Sequence, residues 1–209
     1  MQANAATIEV AQPKLFNTGA VMVVNAYGAL LAVPFLLSVL VVSVTEFSLL
    51  TALIPLLVVA ATAYFLPFGL GNTHITRLVQ SLNPAAAQGG EGFIVQLTLS
   101  PRLRSGLRAL LEDADDIGYL TVRGDELLFQ GDSVKLSIPL DHIELVRPQN
   151  IGLRGLFVYG RRIQLVVPAL KQVESLEFAE RSSRLLPTSR SITKQLYQRL
   201  STRVPPKAN

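Results

Sequence analysis

Between Lys14 and Arg77 the chain runs for 62 residues in which Glu46 is the only side chain with a fixed charge. Few folds can absorb so long an uncharged stretch, because an apolar segment must be covered by protein or by lipid. Residues 20–44 and 47–70 form apolar runs of 25 and 24 residues on either side of this acid. Roughly 20 apolar residues in a helix cross a bilayer core about 30 Å thick. Taken as one helix, both runs together would reach about 75 Å at 1.5 Å per residue, too long for one crossing. The pattern therefore predicts a membrane α-helical hairpin with its turn at Ser43 to Ser48 and Glu46 at the water interface. Thr45 or Ser48 could cap the second helix, since their oxygens accept an orphan N–H. A secretory signal has a shorter apolar region after a basic start, which this chain lacks.

The connecting turn holds no basic residue, whereas Lys14 precedes the first span and Arg77 follows the second. The Lys/Arg bias then places both termini in the cytoplasm, as in a multi-pass protein of a bacterial inner (plasma) membrane. Pro34 and Pro55 read as tolerated kinks, and Asn25 and Tyr27 as an interfacial edge. Gly28 and Ala32 form a small-xxx-small pair that lets another helix approach, a route to a homo-oligomer through the spans.

Only 16% of the 209 residues are charged, against about a quarter in ordinary domains. Residues 92–170 are neutral overall, residues 171–209 carry eight basic and three acidic side chains, a net +5, and residues 1–91 carry a net −1, which gives the chain its +4. A neutral central domain argues against nucleic acid as a partner. The absence of cysteine excludes disulfides, thiolate zinc sites and a cysteine nucleophile.

After the apolar runs, "NTHITRLVQSL" predicts a short helix with Ile75, Leu78, Val79 and Leu82 on one face. "NPAAAQGGEG" follows as a linker, so that residues 71–91 join the hairpin to a second domain. The period then changes from helix to strand. Val95, Leu97 and Leu99 alternate with Gln96 and Thr98. Leu120 and Val122, Leu127 and Phe129, and Val134, Leu136 and Ile138 continue the alternation. Turns at Gly124-Asp125 and Gly131-Asp132 divide these runs into two antiparallel hairpins. "DHIELVR", "GLFVYG" and "RIQLVV" add three more strands. "LKQVESLEFAERSSRLL" reads as a helix stopped by Pro187.

The stretch "GYLTVRGDELLFQGDSVKLSIPLDHIELV" resembles the core of GRAM and bacterial pleckstrin-homology-like domains. The residues that carry the likeness are Gly118, Leu120, Leu127, Phe129, Ile138, Pro139 and Ile143. Over residues 92–186 the resemblance implies a mostly-β cytosolic domain of PH-like antiparallel sheets capped by a C-terminal helix. It also implies a non-enzymatic role in binding lipids or proteins. The chain departs from the pattern at residues 101–117, an insertion between the first two strands. It also lacks the clustered basic residues with which some members hold inositol phosphates.

No P-loop, nucleophile elbow, zinc-protease helix or dinucleotide fingerprint occurs, so no catalytic residue, cofactor or metal is assigned. Glu112, Asp113, Asp115 and Asp116 lack EF-hand spacing and read as a solvated loop before a strand. His142 and His74 read as structural. Arg154, Arg161 and Arg162 flank the sixth strand and could meet anionic lipid or an acidic partner surface. Residues 187–209 predict a basic C-terminal helix and tail. There Ile192, Leu196 and Leu200 share a face, and Arg190, Lys194 and Arg199 supply charge that suits a membrane surface, a partner or the domain itself.

The organisation expected is a cytoplasmic segment at 1–19, spans at 20–44 and 47–70, a linker at 71–91, the PH-like domain at 92–186 and the basic tail at 187–209. Such a chain would present a non-catalytic domain as a scaffold or sensor for membrane lipids or a protein partner. A transporter or channel accessory subunit is the second reading.

Overall fold

The computed structural model describes residues 5–29, 32–45, 48–82, 92–106, 112, 114–149 and 162–204. The alternating segment at its centre folds as the sequence dictates. Strand β2 occupies Phe93–Ser100. β3 (Asp116–Arg123), β4 (Glu126–Gly131) and β5 (Val134–Pro139) follow as two antiparallel hairpins. Gly124 opens the first turn at φ +56, a left-handed setting that glycine adopts at no steric cost. Arg123 and Glu126 pair across it. A 3-10 turn at Leu140–His142 precedes β6 (Leu145–Gln149), and β7 covers Arg162–Val166. The strand expected at "GLFVYG" lies outside the described residues.

Two elements depart from the sequence reading. The helix expected from residue 170 onward is instead strand β8 at Ser175–Glu180. Its helix-forming Glu and Leu residues are overridden by position, since β8 lies between β2 and β7 and pairs with both. Leu176 and Phe178 alternate into the core there, and both are fully buried. The other departure is at the N-terminus, where Thr7–Val10 forms strand β1 along β5, from Thr7 opposite Ser137 to Val10 opposite Val134. Residues of the expected cytoplasmic segment at 1–19 thus belong to the sheet, from Thr7 to Val10.

Among the described residues, eight strands make a single antiparallel sheet in the order β1-β5-β4-β3-β2-β8-β7-β6. That corrects the expected pair of PH-like sheets, because β2 bridges β3 and β8 without a break. A C-terminal helix does cap the sheet, but it is α4 at Leu186–Arg203 and not the 170–186 segment expected to do so. Val95, Leu97, Leu120, Phe129, Ile163 and Phe178 point to one face, and Leu196 and Leu200 of α4 close it. Ile94, Ile117 and Tyr119 point to the other, where they meet a second set of apolar residues from the N-terminal half of the chain.

That second set comes from Phe16 and from helices α1 (Thr18–Ala29) and α3 (Leu49–Leu82); α2 (Ala32–Val44) lies between the two in sequence. Phe16, Val21, Ile75 and Val79 cover Ile94, Ile117 and Tyr119. The short helix expected around Ile75 is the C-terminal part of α3, continuous with the second apolar run. α2 ends at Val44 and α3 begins at Leu49; Glu46, expected in the turn between them, lies outside the described residues. Thr45 Oγ1 donates to Val41 O (2.7 Å) and so closes α2 instead of capping α3.

Among the described residues, no helix is long and apolar enough to cross a membrane. The two-span anchor, and with it the multi-pass inner-membrane location, is thereby corrected. Within the first apolar run the described residues form α1, of 12 residues, and α2, of 13. The third helix has 34 residues, but its last turns carry Asn72, Thr73, Thr76, Arg77 and Gln80 and lie against the sheet.

Candidate interaction surface

The helices leave the sheet at a defined place. Asn17 caps α1, its Oδ1 accepting from Ala20 N–H (3.1 Å) and so satisfying one of the orphan donors of a helix start. Pro34 sits in the first turn of α2, where a missing N–H does no harm. Beyond that point α2 and the first half of α3 have no sheet beneath them. Phe35 (57% exposed), Leu36 (63%) and Leu40 (57%) of α2 face outward, as do Leu53, Leu56 (64%) and Leu57 of α3. Since Val33, Leu37, Val39, Val41 and Val44 are exposed as well, α2 is apolar all round, the mark of a helix that is covered on every side in its working state.

An apolar groove of about 430 Å³ runs between the two helices, lined by Pro34, Leu37, Val41, Ile54, Pro55 and Val58 among others. Ser38 is its one polar member, and its hydroxyl is engaged by Pro34 O (2.6 Å), with Pro55 O at 3.4 Å across the groove. Contiguous apolar patches larger than a few hundred Å² on a folded chain mark interaction sites. The groove can take apolar side chains, and it presents no group able to do chemistry.

A buried polar seam fixes this hairpin to the sheet. Arg181 follows β8, is 3% exposed, and donates from Nε to Gln96 Oε1 (2.6 Å) and from Nη1 to Asn72 Oδ1 (3.1 Å). Asn72 of α3 donates in turn to Ser183 O (2.7 Å), and Thr76 Oγ1 donates to Arg181 O (3.1 Å). Glu180 Oε1 accepts from Ser183 N–H (2.8 Å). Buried polar groups of this kind are stable only when bonded, so the seam sets where α3 lies. Reading the sequence did not single these residues out. The available signal was Gln96, an amide between Val95 and Leu97 in a strand otherwise apolar enough to be central.

The basic residues proposed as contacts divide into three groups. Arg154 and Arg161 lie outside the described residues. Arg162 is 3% exposed on β7, where Nη1 meets Glu177 Oε2 at 3.1 Å, which places its charge within the fold. Arg190 and Lys194 are exposed on α4, on the side away from Leu196 and Leu200. Arg199 is also exposed, and its guanidinium lies over the Phe93 ring at 5.3 Å from the centroid.

The acidic segment is not the solvated loop its composition suggests. Glu112, Asp115 and Asp116 are all buried, and Asp113 lies outside the described residues. Asp115 accepts from Leu99 N–H (2.9 Å) and Arg104 N–H (3.0 Å), while Asp116 Oδ2 accepts from Ser133 N–H (2.8 Å) and Val134 N–H (2.6 Å). Burial pushes the Asp116 carboxyl up to about 6, against the pull of those backbone donors. Asp116 ties the start of β3 to the β4–β5 turn, and Asp115 ties the chain before β3 to β2 and to residue 104. Among the described residues, no group of three or more acids and histidines is placed to hold a metal ion. His74 meets Tyr27 edge-on at 6.2 Å, between α1 and α3. Burial and the nearby Arg77 lower its pKa.

No protein-family model and no curated protein matches this chain. The likeness to GRAM and PH-like domains, carried by strand pattern in Gly118 to Ile143, thus has no family match behind it, and the single sheet removes its structural basis.

Proposed function

We propose that this protein is a non-catalytic scaffold whose β domain holds out the α2–α3 hairpin to a protein partner. The observation that carries the reading is the run of outward-facing apolar side chains from Val33 to Val58 on two helices, which nothing among the described residues covers. Leaving them bare opposes the hydrophobic effect at roughly 25 cal/mol per Å², so covering them is a strong drive for association. The polar seam at Asn72, Gln96 and Arg181 supports the same reading, because it ties the hairpin to the β domain at a fixed position. Exposed Arg77, Arg184, Arg190 and Lys194 add positive charge to the β-domain side of the molecule. A partner with an apolar face and an acidic rim fits this distribution. The nearest thing to reactive chemistry, the buried acids before β3, is occupied in backbone hydrogen bonds, which favours binding over catalysis.

The test is site-specific photo-cross-linking in cells from Leu36 and from Leu56. Cross-links to a defined protein that disappear in a Leu40→Lys/Leu57→Lys variant are expected. Cross-links to lipid alone, or to no macromolecule, would overturn the proposal.

A further inference from the structure

Residues 11–16 lie over the β4–β5 turn and are fastened to it by three backbone donors. Ala11 N–H donates to Ser133 O (2.7 Å). Leu15 N–H (2.9 Å) and Phe16 N–H (2.8 Å) both donate to Asp132 Oδ2. The turn is fastened in its own right from beneath, where Asp116 Oδ2 holds the N–H groups of Ser133 and Val134, and where Asp132 N–H donates to Ile117 O (3.1 Å). Asp116 thus grips one side of a turn whose other side grips the segment leading into α1.

The fit is close. A side chain at Gly131 would collide with Asp116 Oδ2, so only glycine leaves room for the carboxylate. Asp116 is 0% exposed, and its second oxygen, Oδ1, has no hydrogen-bond partner among the described residues; the same holds for the buried Oδ1 of Asp132. Two carboxylates with an unsatisfied oxygen each therefore flank one turn. Phe16 packs with Ala114 and Ile117, the neighbours of Asp115 and Asp116, so residues 11–16 form part of the cover over these acids.

We propose that residues 11–16 form a strap whose hold on the β4–β5 turn is set by the protonation of Asp116: fastened while Asp116 is neutral, and loosened when it ionises beside Asp132. The physical reason is desolvation. An ionised carboxylate without water and close to a second one is unfavourable, and lifting the strap readmits water to both. The surrounding charges do not cancel this. Asp115 and Glu112 add negative charge from the segment before β3. Arg104 of that segment is bound to Ser133 Oγ and to Asp115, and Arg102 to Glu112 O. Lys14 on the strap, Lys135 on β5 and Arg77 on α3 are exposed, and Tyr119 on β3 has its pKa raised by burial. With the Asp116 carboxyl at about 6, the change falls between mildly acidic and neutral pH. Because α1 begins at Thr18, two residues beyond the strap, loosening it frees the start of α1.

Hydrogen exchange on the full chain, kept monodisperse in a mild detergent, tests this. Exchange in a peptide covering residues 11–16 is compared at pH 5 and pH 7.5 after correction for the intrinsic rate. The strap's opening equilibrium should rise by up to about tenfold between them, the factor that a carboxyl moved from about 4 to about 6 supplies. In Asp116→Asn, which keeps an oxygen for both turn N–H groups, it should not change with pH. Asp132→Ala should open the strap at both pH values. A flat wild-type response, or the same pH response in Asp116→Asn, would overturn the proposal. Should Asp116→Asn fail to fold, wild type still decides: a strap that opens while the β8 peptide stays protected supports a local latch, and both opening together refutes it.

Discussion

Arg181 donates from Nε to Gln96 Oε1 at 2.6 Å on the face of the sheet that α3 covers, and the same guanidinium reaches Asn72 of α3. One cation thus joins β2, the end of β8 and a helix that is otherwise apolar for half its length. The consequence is that α3 sits on the sheet in one register, since sliding it would unpair a buried charge.

Asn72→Ala should therefore destabilise the protein by about 1–3 kcal/mol, the cost of leaving buried partners unsatisfied. Urea denaturation in detergent measures it. A change under about 0.5 kcal/mol, the range of neutral surface substitutions, would show that the seam does not hold α3.

Stability should depend on pH through Asp116. Its folded carboxyl lies at about 6, above the ordinary value of 3.8, so between these values the folded state binds more protons than the unfolded chain. Unfolding free energy then falls as pH rises across this window, by up to about 3 kcal/mol, and levels off above it. This is opposite in sign to the usual salt-bridged carboxylate. Denaturation midpoints between pH 4 and 7.5 should drift downward in wild type, and Asp116→Asn should lose most of that slope.

Gly131→Ala should cost about 1–3 kcal/mol by overpacking, because the new methyl would overlap Asp116 Oδ2 and lie 2.7 Å from Phe129 Cε1. The two sites share one space, so their effects should not add. Placing Gly131→Ala in an Asp116→Ala background should cost less than placing it in wild type. Equal costs in the two backgrounds would locate the strain at Phe129 instead.

Helix α4 offers a contrast between its two faces. Leu196 and Leu200 are 0% exposed in the main core, and Leu196→Ala should lose about 2–5 kcal/mol. Lys194→Ala, two residues away on the exposed side, should stay within about 0.5 kcal/mol. Thermal melts of the two variants decide whether the aliphatic face serves the fold, as its burial implies, or a surface elsewhere.

The sequence by itself determined the elements whose information is local. Val95, Leu97 and Leu99 alternate because a strand has a period of two, and β2 begins and ends where that alternation does. Gly124 marks a turn because the backbone there needs a positive φ. The change in period near residue 92 and the apolar stripe of Ile75 and Val79 were legible for the same reason. What only the tertiary structure decided depends on neighbours distant in the chain. Residues 175–180 have helix-forming composition, yet they are a strand because β2 and β7 leave a slot between them. Thr7–Val10 is too short to signal a strand and becomes one by pairing with β5. Glu112, Asp115 and Asp116 look like a solvated loop because charge in a sequence reads as exposure; they are buried because Leu99, Ser133 and Val134, remote in the chain, bring N–H groups to two of them. The two apolar runs carried their hydrophobicity openly, but which parts of them lie against the sheet is set by contacts that hydropathy does not encode.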